Sequence, residues 1–224
     1  MRDERISKRG FLWAYCGSFG FAIFMAFVGG VFAGILGSYA GVSFIVATAI
    51  SIIFFIVTHF VFIYRIWKEI QDGETSTSAG LAVGLLFIPI FNLYWIFHVL
   101  TGFVREYNAL LKRHQAKLPR LKNGVYLAYA ILTSMSFLMG AIGLFFVRVS
   151  LSGHPSPENP MQVFAVMVIS TVSLMNQLMG IAIFVLGILI ISRSCDAINK
   201  LPPLRPVEIN YQSSMESDDL ENTT

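Results

Sequence analysis

The chain has 224 residues, of which 55% are hydrophobic and 13% are charged, with a formal net charge of +3 and a mean hydropathy of +0.68. Long stretches of the chain, among them 11–64, 123–147 and 159–192, contain no Asp, Glu, Lys or Arg. A soluble domain needs charged outer faces, so this distribution excludes a soluble fold and indicates an integral membrane protein. The basic residues lie only beside apolar runs, where they orient a chain in a bilayer, and nucleic acid is therefore disfavoured as a partner.

Five apolar segments follow one another, and each has the ~20 residues that a helix needs to cross the hydrocarbon core. They are 11–36, 42–64, 81–104, 125–149 and 163–191. If all five crossed, the four basic residues of the N-terminus and the six of 105–122 would lie on opposite sides of the membrane. If the third segment returns to the side from which it entered, 15 of the 16 basic residues become cytoplasmic, which agrees with the preference of cytoplasmic loops for Lys and Arg.

The sequence therefore predicts an all-α integral membrane protein with four transmembrane helices as two hairpins, plus a central re-entrant or interfacial helical segment. Both termini are expected to be cytoplasmic. In chain order, the predicted parts begin with a basic cytoplasmic N-terminus over 1–10, a first transmembrane hairpin over 11–64 and a cytoplasmic linker over 65–79. The re-entrant or interfacial segment over 80–104 and a basic amphipathic cytoplasmic helix over 105–122 follow. A second transmembrane hairpin over 123–192 leads to a cytoplasmic tail over 193–224, whose acidic end is predicted to be disordered.

The central segment contains residues that favour a break in its helix. Pro89 lacks a backbone N–H and clashes with the preceding turn, and Asn92 supplies a side chain that can bond exposed backbone groups. Trp95 is a residue type favoured at headgroup depth, and His98 follows it on the returning limb. We therefore predict a helix break formed by Pro89, Asn92, Trp95 and His98. A fifth span kinked at Pro89 is the alternative interpretation.

A basic amphipathic stretch follows this segment. Four apolar residues recur at helical spacing and share one face, namely Val104, Tyr107, Leu111 and Leu118. We predict a helix on the inner leaflet whose basic residues face anionic phospholipid, namely Arg105, Lys112, Arg113, Lys117, Arg120 and Lys122. The alternative is that these charges only orient the chain and bind no particular lipid.

The two hairpins share a weak internal repeat. An offset of 114 aligns the entries of the first and fourth apolar segments, matching Gly10, Ala14 and Tyr15 with Gly124, Ala128 and Tyr129. An offset of 128 aligns the exits of the second and fifth segments, matching Ile63, Arg65 and Ile70 with Ile191, Arg193 and Ile198. Both hairpins start on the same side, so the pattern indicates a parallel duplication, with chance similarity between apolar sequences as the alternative.

The sequence contains no recognisable catalytic or metal-binding grouping. No Asp or Glu lies within an apolar segment, and Cys16 and Cys195 have no partner at metal-ligand or redox spacing. His59 and His98 are isolated histidines, which more often pack in a helix bundle than bind metal. We therefore predict no catalytic residue, no cofactor, no metal and no enzyme activity.

The most distinctive residues are Ala82-Val83-Gly84, Phe87-Ile88-Pro89 and Asn92-Leu93-Tyr94-Trp95. This stretch resembles a pattern in uncharacterised multispanning bacterial membrane proteins, where Ala-Val-Gly, Phe-Ile-Pro and Asn-x-Tyr-Trp recur between two helical hairpins. Outside the central segment the resemblance extends only to hydropathy. It implies a bacterial inner-membrane setting and no particular activity.

Two functional classes fit these features. A membrane scaffold or accessory subunit fits the missing catalytic groups, the basic helix and the acidic tail, and this is the function that we predict. A small-molecule or lipid transporter fits the broken helix, because discontinuous helices often frame substrate sites, but four spans would require an oligomer. The expected partners are the lipid bilayer, with anionic phospholipid, and a second copy of the chain or another membrane protein.

Overall fold

The structure is a computed structural model that describes residues 6–36, 38–151 and 160–202, and all of its regular elements are helices. The helices are α1 (Lys8–Leu36), α2 (Ser38–Glu69), α3 (Ala79–Gly84), α4 (Pro89–Arg113), α5 (Gly124–Leu151) and α6 (Pro160–Asn199), and a 3-10 turn over Leu85–Phe87 follows α3. The predicted disordered end of the tail and the first half of the basic N-terminus lie outside the described residues.

Four of these helices are long and apolar enough to cross a membrane. The qualifying stretches are Lys8–Gly29, Val46–Glu69, Gly124–Arg148 and Gln162–Asn199. α1 packs along α2, and α5 packs along α6, so the four form two hairpins. Their outer faces expose large apolar side chains, which suits hydrocarbon as the surrounding solvent. The predicted all-α membrane fold with four transmembrane helices is thereby confirmed.

Polar contacts bring five chain segments to one end of the bundle. The Nζ atom of Lys8, at the start of α1, lies 2.8 Å from Oδ2 of Asp196, near the end of α6. Arg113, the last residue of α4, contacts Asp72 beyond the end of α2. The side chain of Asn108 on α4 bonds the backbone of Leu121, just before α5. We call this end of the bundle the basic end, since the helix ends and loops that meet there carry most of the described Lys and Arg residues.

The buried core lies at the basic end and surrounds α4. Phe103 is fully buried, and its ring contacts the ring of Trp67 on α2 and that of Tyr126 on α5. Tyr107 is also fully buried, and its hydroxyl donates to the carbonyl oxygen of Ala197 on α6 at 3.4 Å. The apolar face predicted to lie on the inner leaflet is therefore directed into the protein, because three of the long helices cover it.

The basic helix predicted over 105–122 is shorter in the structure and is not a separate element. α4 runs without interruption through residue 104 and ends at Arg113. The backbone N–H groups of Gln115 and Ala116 donate to the carbonyl oxygens of Lys112 and Leu111, and Gln115 has a positive φ of 50°. This is a Schellman termination, which usually places Gly at the left-handed position. Because Gln occupies it here, the stop signal is not visible in the sequence.

The two hairpins meet through positions that the repeat makes equivalent. Tyr129 stacks on His59, with ring centroids 5.6 Å apart and its hydroxyl oxygen 3.4 Å from Nε2. Tyr15 packs on Gly187, where a β-carbon would lie 2.6 Å from the Cζ atom of the tyrosine. The offsets of 114 and 128 relate Tyr15 to Tyr129 and His59 to Gly187. The tyrosine of each hairpin thus faces the corresponding position of the other hairpin, which supports a duplication.

Candidate functional site at the basic end

The helix break lies at Ile88, between the 3-10 turn and α4. The backbone of Ile88 is extended, with φ −89° and ψ 107°, and Pro89 is the first residue of α4. A proline disfavours the helical conformation for the residue before it, and its missing N–H costs nothing at a helix start. The chain therefore leaves helical geometry at Ile88, and α4 starts at Pro89. On the other side, the Ser78 hydroxyl caps α3 by accepting from the N–H of Leu81 at 3.2 Å.

Trp95 joins the two limbs of the break. Its indole N–H donates to the carbonyl oxygen of Ala82 on α3 at 3.1 Å, within the buried part of the structure. The Asn92 side chain was the group predicted to hydrogen-bond the exposed backbone at the break. Its buried Oδ1, however, has no hydrogen-bond partner among the described residues. The backbone N–H of Asn92 instead donates to the carbonyl of Ile88 at 2.7 Å, as the first turn of α4. The structure thus gives the bonding role to Trp95.

His98 ties α4 to the residue before the cap of α3. Its ring stacks on that of Trp95 at a centroid distance of 4.5 Å, and its Nε2 lies 3.4 Å from the hydroxyl oxygen of Thr77. His59 contacts Tyr129 instead, so the two histidines have different partners. In the described part of the chain, no group of three or more His, Cys, Asp or Glu residues is placed to hold a metal ion.

An ion-pair network joins the linker after α2 to the end of α4. Nη2 of Arg113 lies 2.7 Å from Oδ2 of Asp72, and Nε of Arg113 donates to the same oxygen at 2.9 Å. The Asp72 side chain is only 1% exposed. Nε of Arg113 also lies 3.4 Å from Oε2 of Glu74, and Nε2 of His114 lies 3.6 Å from Asp72. Arg113 is therefore held by acidic residues of the protein and does not face lipid as predicted.

The surroundings of Asp72 favour its ionised form. Burial acts to raise its pKa, but the hydrogen bond from Arg113, the backbone N–H of Glu74 and the charge of Arg113 act in the opposite direction. The pKa of Asp72 consequently lies below its ordinary value.

A hydrogen bond also joins the linker after α2 to α4 at a second place. The Ser76 hydroxyl donates to Oε1 of Glu106 on α4 at 2.9 Å.

The other five predicted lipid-facing residues are exposed at the basic end, namely Arg105, Lys112, Lys117, Arg120 and Lys122. Nη2 of Arg105 lies 3.9 Å from Oε1 of Glu106. The structure separates the remaining four into two pairs. Lys112 and Lys117 lie on and just after α4, whereas Arg120 and Lys122 line a cavity.

This cavity, which we call the basic pocket, has a volume of about 360 Å³ and lies between the loop before α5 and the end of α6. Its charged lining residues are Arg120, Lys122, Arg193, Asp196 and Lys200. Tyr107 also lines it, and burial raises the pKa of this phenol, which keeps the hydroxyl protonated. Sequence analysis did not detect the pocket, because about seventy positions separate its two walls and neither wall has a recognised motif.

Aromatic rings fill the space between the hairpins at the level of Tyr15. Phe184 of α6 stacks on Tyr15 and on Phe19, with centroid distances of 5.4 and 4.1 Å. Phe55 of α2 contacts the same two rings of α1 at 4.7 and 5.8 Å. We call Tyr15, Phe19, Phe55 and Phe184 the aromatic plug, since their rings fill the space between α1, α2 and α6.

No protein-family model, curated protein or solved structure matches the chain. The function is therefore inferred from the chain's own residues.

Proposed function

We propose that this chain is a non-catalytic integral membrane protein that acts as a scaffold or accessory subunit of a membrane complex. The observation that carries this proposal is the attachment of α3 and α4 to the rest of the structure by side-chain hydrogen bonds. Trp95, Arg113 and Asn108 bond α4 to α3, to the linker after α2 and to the loop before α5. A surface fixed before binding loses little conformational freedom when a partner docks.

We place the basic end at the cytoplasmic face of a bacterial inner membrane, with both termini on that side. The excess of Lys and Arg supports this orientation, because 15 of the 16 basic residues then lie in the cytoplasm. The resemblance of the central segment to bacterial membrane proteins supports the bacterial setting. The exposed Lys112 and Lys117 then form part of the cytoplasmic surface that a partner would meet.

We further propose that α3 and the first turns of α4 re-enter the cytoplasmic leaflet. The turn between them exposes large apolar side chains, with Phe87 65% and Ile90 86% exposed, which is unfavourable in water and acceptable in hydrocarbon. The Phe87 ring contacts that of Phe60, five residues before Arg65 on α2. We call this turn, over residues 85–90, the elbow. At 1.5 Å per residue, the elbow would lie about 7–8 Å below the level of Arg65.

A transporter is the alternative function, and the broken helix is the feature that favours it. The aromatic plug opposes a passage between α1, α2 and α6 of a single chain, because its rings are in direct contact. Transport would therefore require a pathway between copies of the chain. A monomeric mass in native mass spectrometry, retained under mild detergent conditions, would count against this alternative.

Site-specific photo-crosslinking in native membranes tests the scaffold proposal. A photoreactive amino acid at Lys112, on the exposed side of α4, is expected to give adducts with another protein. The matched control is Phe145, which is 64% exposed towards the opposite end of α5 and should give lipid adducts only. Lipid adducts alone at both positions, and at Ile90 of the elbow, would contradict the proposal.

A further inference from the structure

We infer that the basic pocket binds the phosphate-bearing headgroup of an anionic phospholipid. Four of its lining side chains are cations, namely Arg120, Lys122, Arg193 and Lys200. None of them has a carboxylate within ion-pair distance among the described residues. The one carboxylate in the lining, Asp196, is already neutralised by Lys8, whose Nζ lies 2.9 and 2.8 Å from its two oxygens.

The loop wall of the pocket is fixed in place by Asn108. The backbone N–H of Leu121 donates to Oδ1 of Asn108 at 2.9 Å, and the carbonyl of Leu121 accepts from Nδ2 at 3.0 Å. Leu121 packs against the core, while Arg120 and Lys122 on either side are exposed. The backbone that carries the two cations of this wall is thus bonded to α4.

The second wall is one face of the end of α6 together with Lys200, which directly follows the helix. Arg193 and Lys200 are seven residues apart, so two helical turns place them on the same side. The bond from the Tyr107 hydroxyl to the Ala197 carbonyl holds this part of α6 against α4. Cations from two separate elements therefore surround one cavity, an arrangement that suits the several oxygen atoms of a phosphate group.

The position of the pocket indicates a lipid rather than a soluble phosphate compound. Arg193 is the first charged residue after the charge-free stretch 159–192, so the pocket opens where the apolar span ends. Val185 and Leu189 are exposed on α6, and they lie eight and four residues before Arg193, which places them below the pocket on the same side of the helix. Acyl chains can lie along this apolar strip while the phosphate occupies the pocket.

This inference does not depend on the proposed scaffold role, since lipid can bind whether or not a protein partner is present. Lys112 and Lys117 provide a matched control for charge. They are exposed at the same basic end and carry the same total charge as Arg193 and Lys200, but they do not line the pocket.

The test is a binding titration of the full chain in nanodiscs of phosphatidylcholine, with labelled phosphatidylglycerol as the probe. A Lys or Arg beside an anionic headgroup changes affinity about fivefold, so Arg193→Gln with Lys200→Gln should weaken binding about 25-fold. Lys112→Gln with Lys117→Gln should leave it nearly unchanged. Arg193→Lys with Lys200→Arg, which keeps both charges, should retain most of the binding, and thermal unfolding verifies that each variant is folded.

The inference would be overturned if the pocket and control variants lost phosphatidylglycerol binding equally, or if neither variant lost it. A second arm supplies inorganic phosphate to nanodiscs that contain phosphatidylcholine only. Phosphate binding that requires Arg193 and Lys200, in a protein that does not bind phosphatidylglycerol, would overturn the lipid assignment.

Discussion

The indole N–H of Trp95 donates to the carbonyl oxygen of Ala82 at 3.1 Å and thereby links the two helices on either side of the break. Ala82 is fully buried, so little water can replace this bond. The rings of Phe91 and His98 stack on Trp95 at centroid distances of 5.4 and 4.5 Å, which holds the indole in position. The geometry of the elbow therefore depends on one side chain of α4 as well as on Pro89.

Replacing Trp95 with Phe is expected to destabilise the elbow. The ring contacts are partly kept, but the buried Ala82 carbonyl loses its donor, which costs about 1–3 kcal/mol. Thermal unfolding in detergent would measure the change. The matched control is Tyr94→Phe, because Tyr94 is 65% exposed and should tolerate the loss of its hydroxyl. Similar unfolding temperatures for the two variants would show that the Trp95 bond contributes little.

Gly187→Ala is expected to disrupt the contact between the hairpins. Its new β-carbon would overlap the Tyr15 hydroxyl, and overpacking of this kind costs about 1–3 kcal/mol. Gly180→Ala on the same helix is the control, since a β-carbon there meets nothing within 4 Å. Combining Gly187→Ala with Tyr15→Leu should restore part of the lost stability. If both glycine variants unfold alike, the proposed close packing of Tyr15 on Gly187 is wrong.

The Asp72–Arg113 pair predicts a specific dependence of stability on pH. The pKa of Asp72 is lower in the folded chain, so its contribution is complete above the unfolded pKa of about 3.9 and declines as pH falls through the folded value. The difference in unfolding free energy between the wild type and Asp72→Asn should shrink on acidification from neutral pH towards pH ~3. Chemical denaturation in detergent at several pH values measures it.

The control for this experiment is Glu74→Gln. Glu74 contacts the same arginine at 3.4 Å, but its side chain is mostly exposed, so solvent screens the interaction and the effect should be small at every pH. An unchanged difference between the wild type and Asp72→Asn across the acidic range would contradict the assigned role of the pair.

Depth measurements test the re-entrant placement of the elbow. Spin labels at Leu81, Ile90 and Arg105 lie before, at and after the turn, and all three residues are exposed. Re-entry predicts that Ile90 is the deepest label and that the other two are shallow on the same side. A steady change in depth from Leu81 to Arg105 would instead make this segment a fifth span.

Cysteine labelling tests the orientation of the chain. In a Cys-free background, a single cysteine at Gln115 should resist an impermeant thiol reagent added to intact cells, because the basic end is proposed to be cytoplasmic. A cysteine at Ser156, which lies outside the described residues, should react, since it belongs to the loop between the two predicted spans of the second hairpin. Reaction of Gln115 with intact cells would refute the orientation.

The membrane class and the four spans follow from the amino-acid sequence alone. Ionised groups are costly in hydrocarbon, so charge-free stretches such as 11–64 and 159–192 mark apolar segments, and the distribution of Lys and Arg selects four of the five segments as spans. The extended backbone of Ile88 has a local cause too, because Pro89 restricts the backbone of the residue before it whatever the rest of the fold does. These properties arise from local chemistry and from the solvent.

Only the tertiary structure decided what covers the apolar face of α4. Val104, Tyr107 and Leu111 would be equally stable against lipid or against protein, since both environments are apolar, and their spacing cannot distinguish the two. The same limit applies to Arg113, because its ion pair with Asp72, forty-one positions away, cannot be read from the sequence. The basic pocket likewise joins Arg120, just before α5, to Arg193 on α6, and only the packing of α5 against α6 brings such distant residues together.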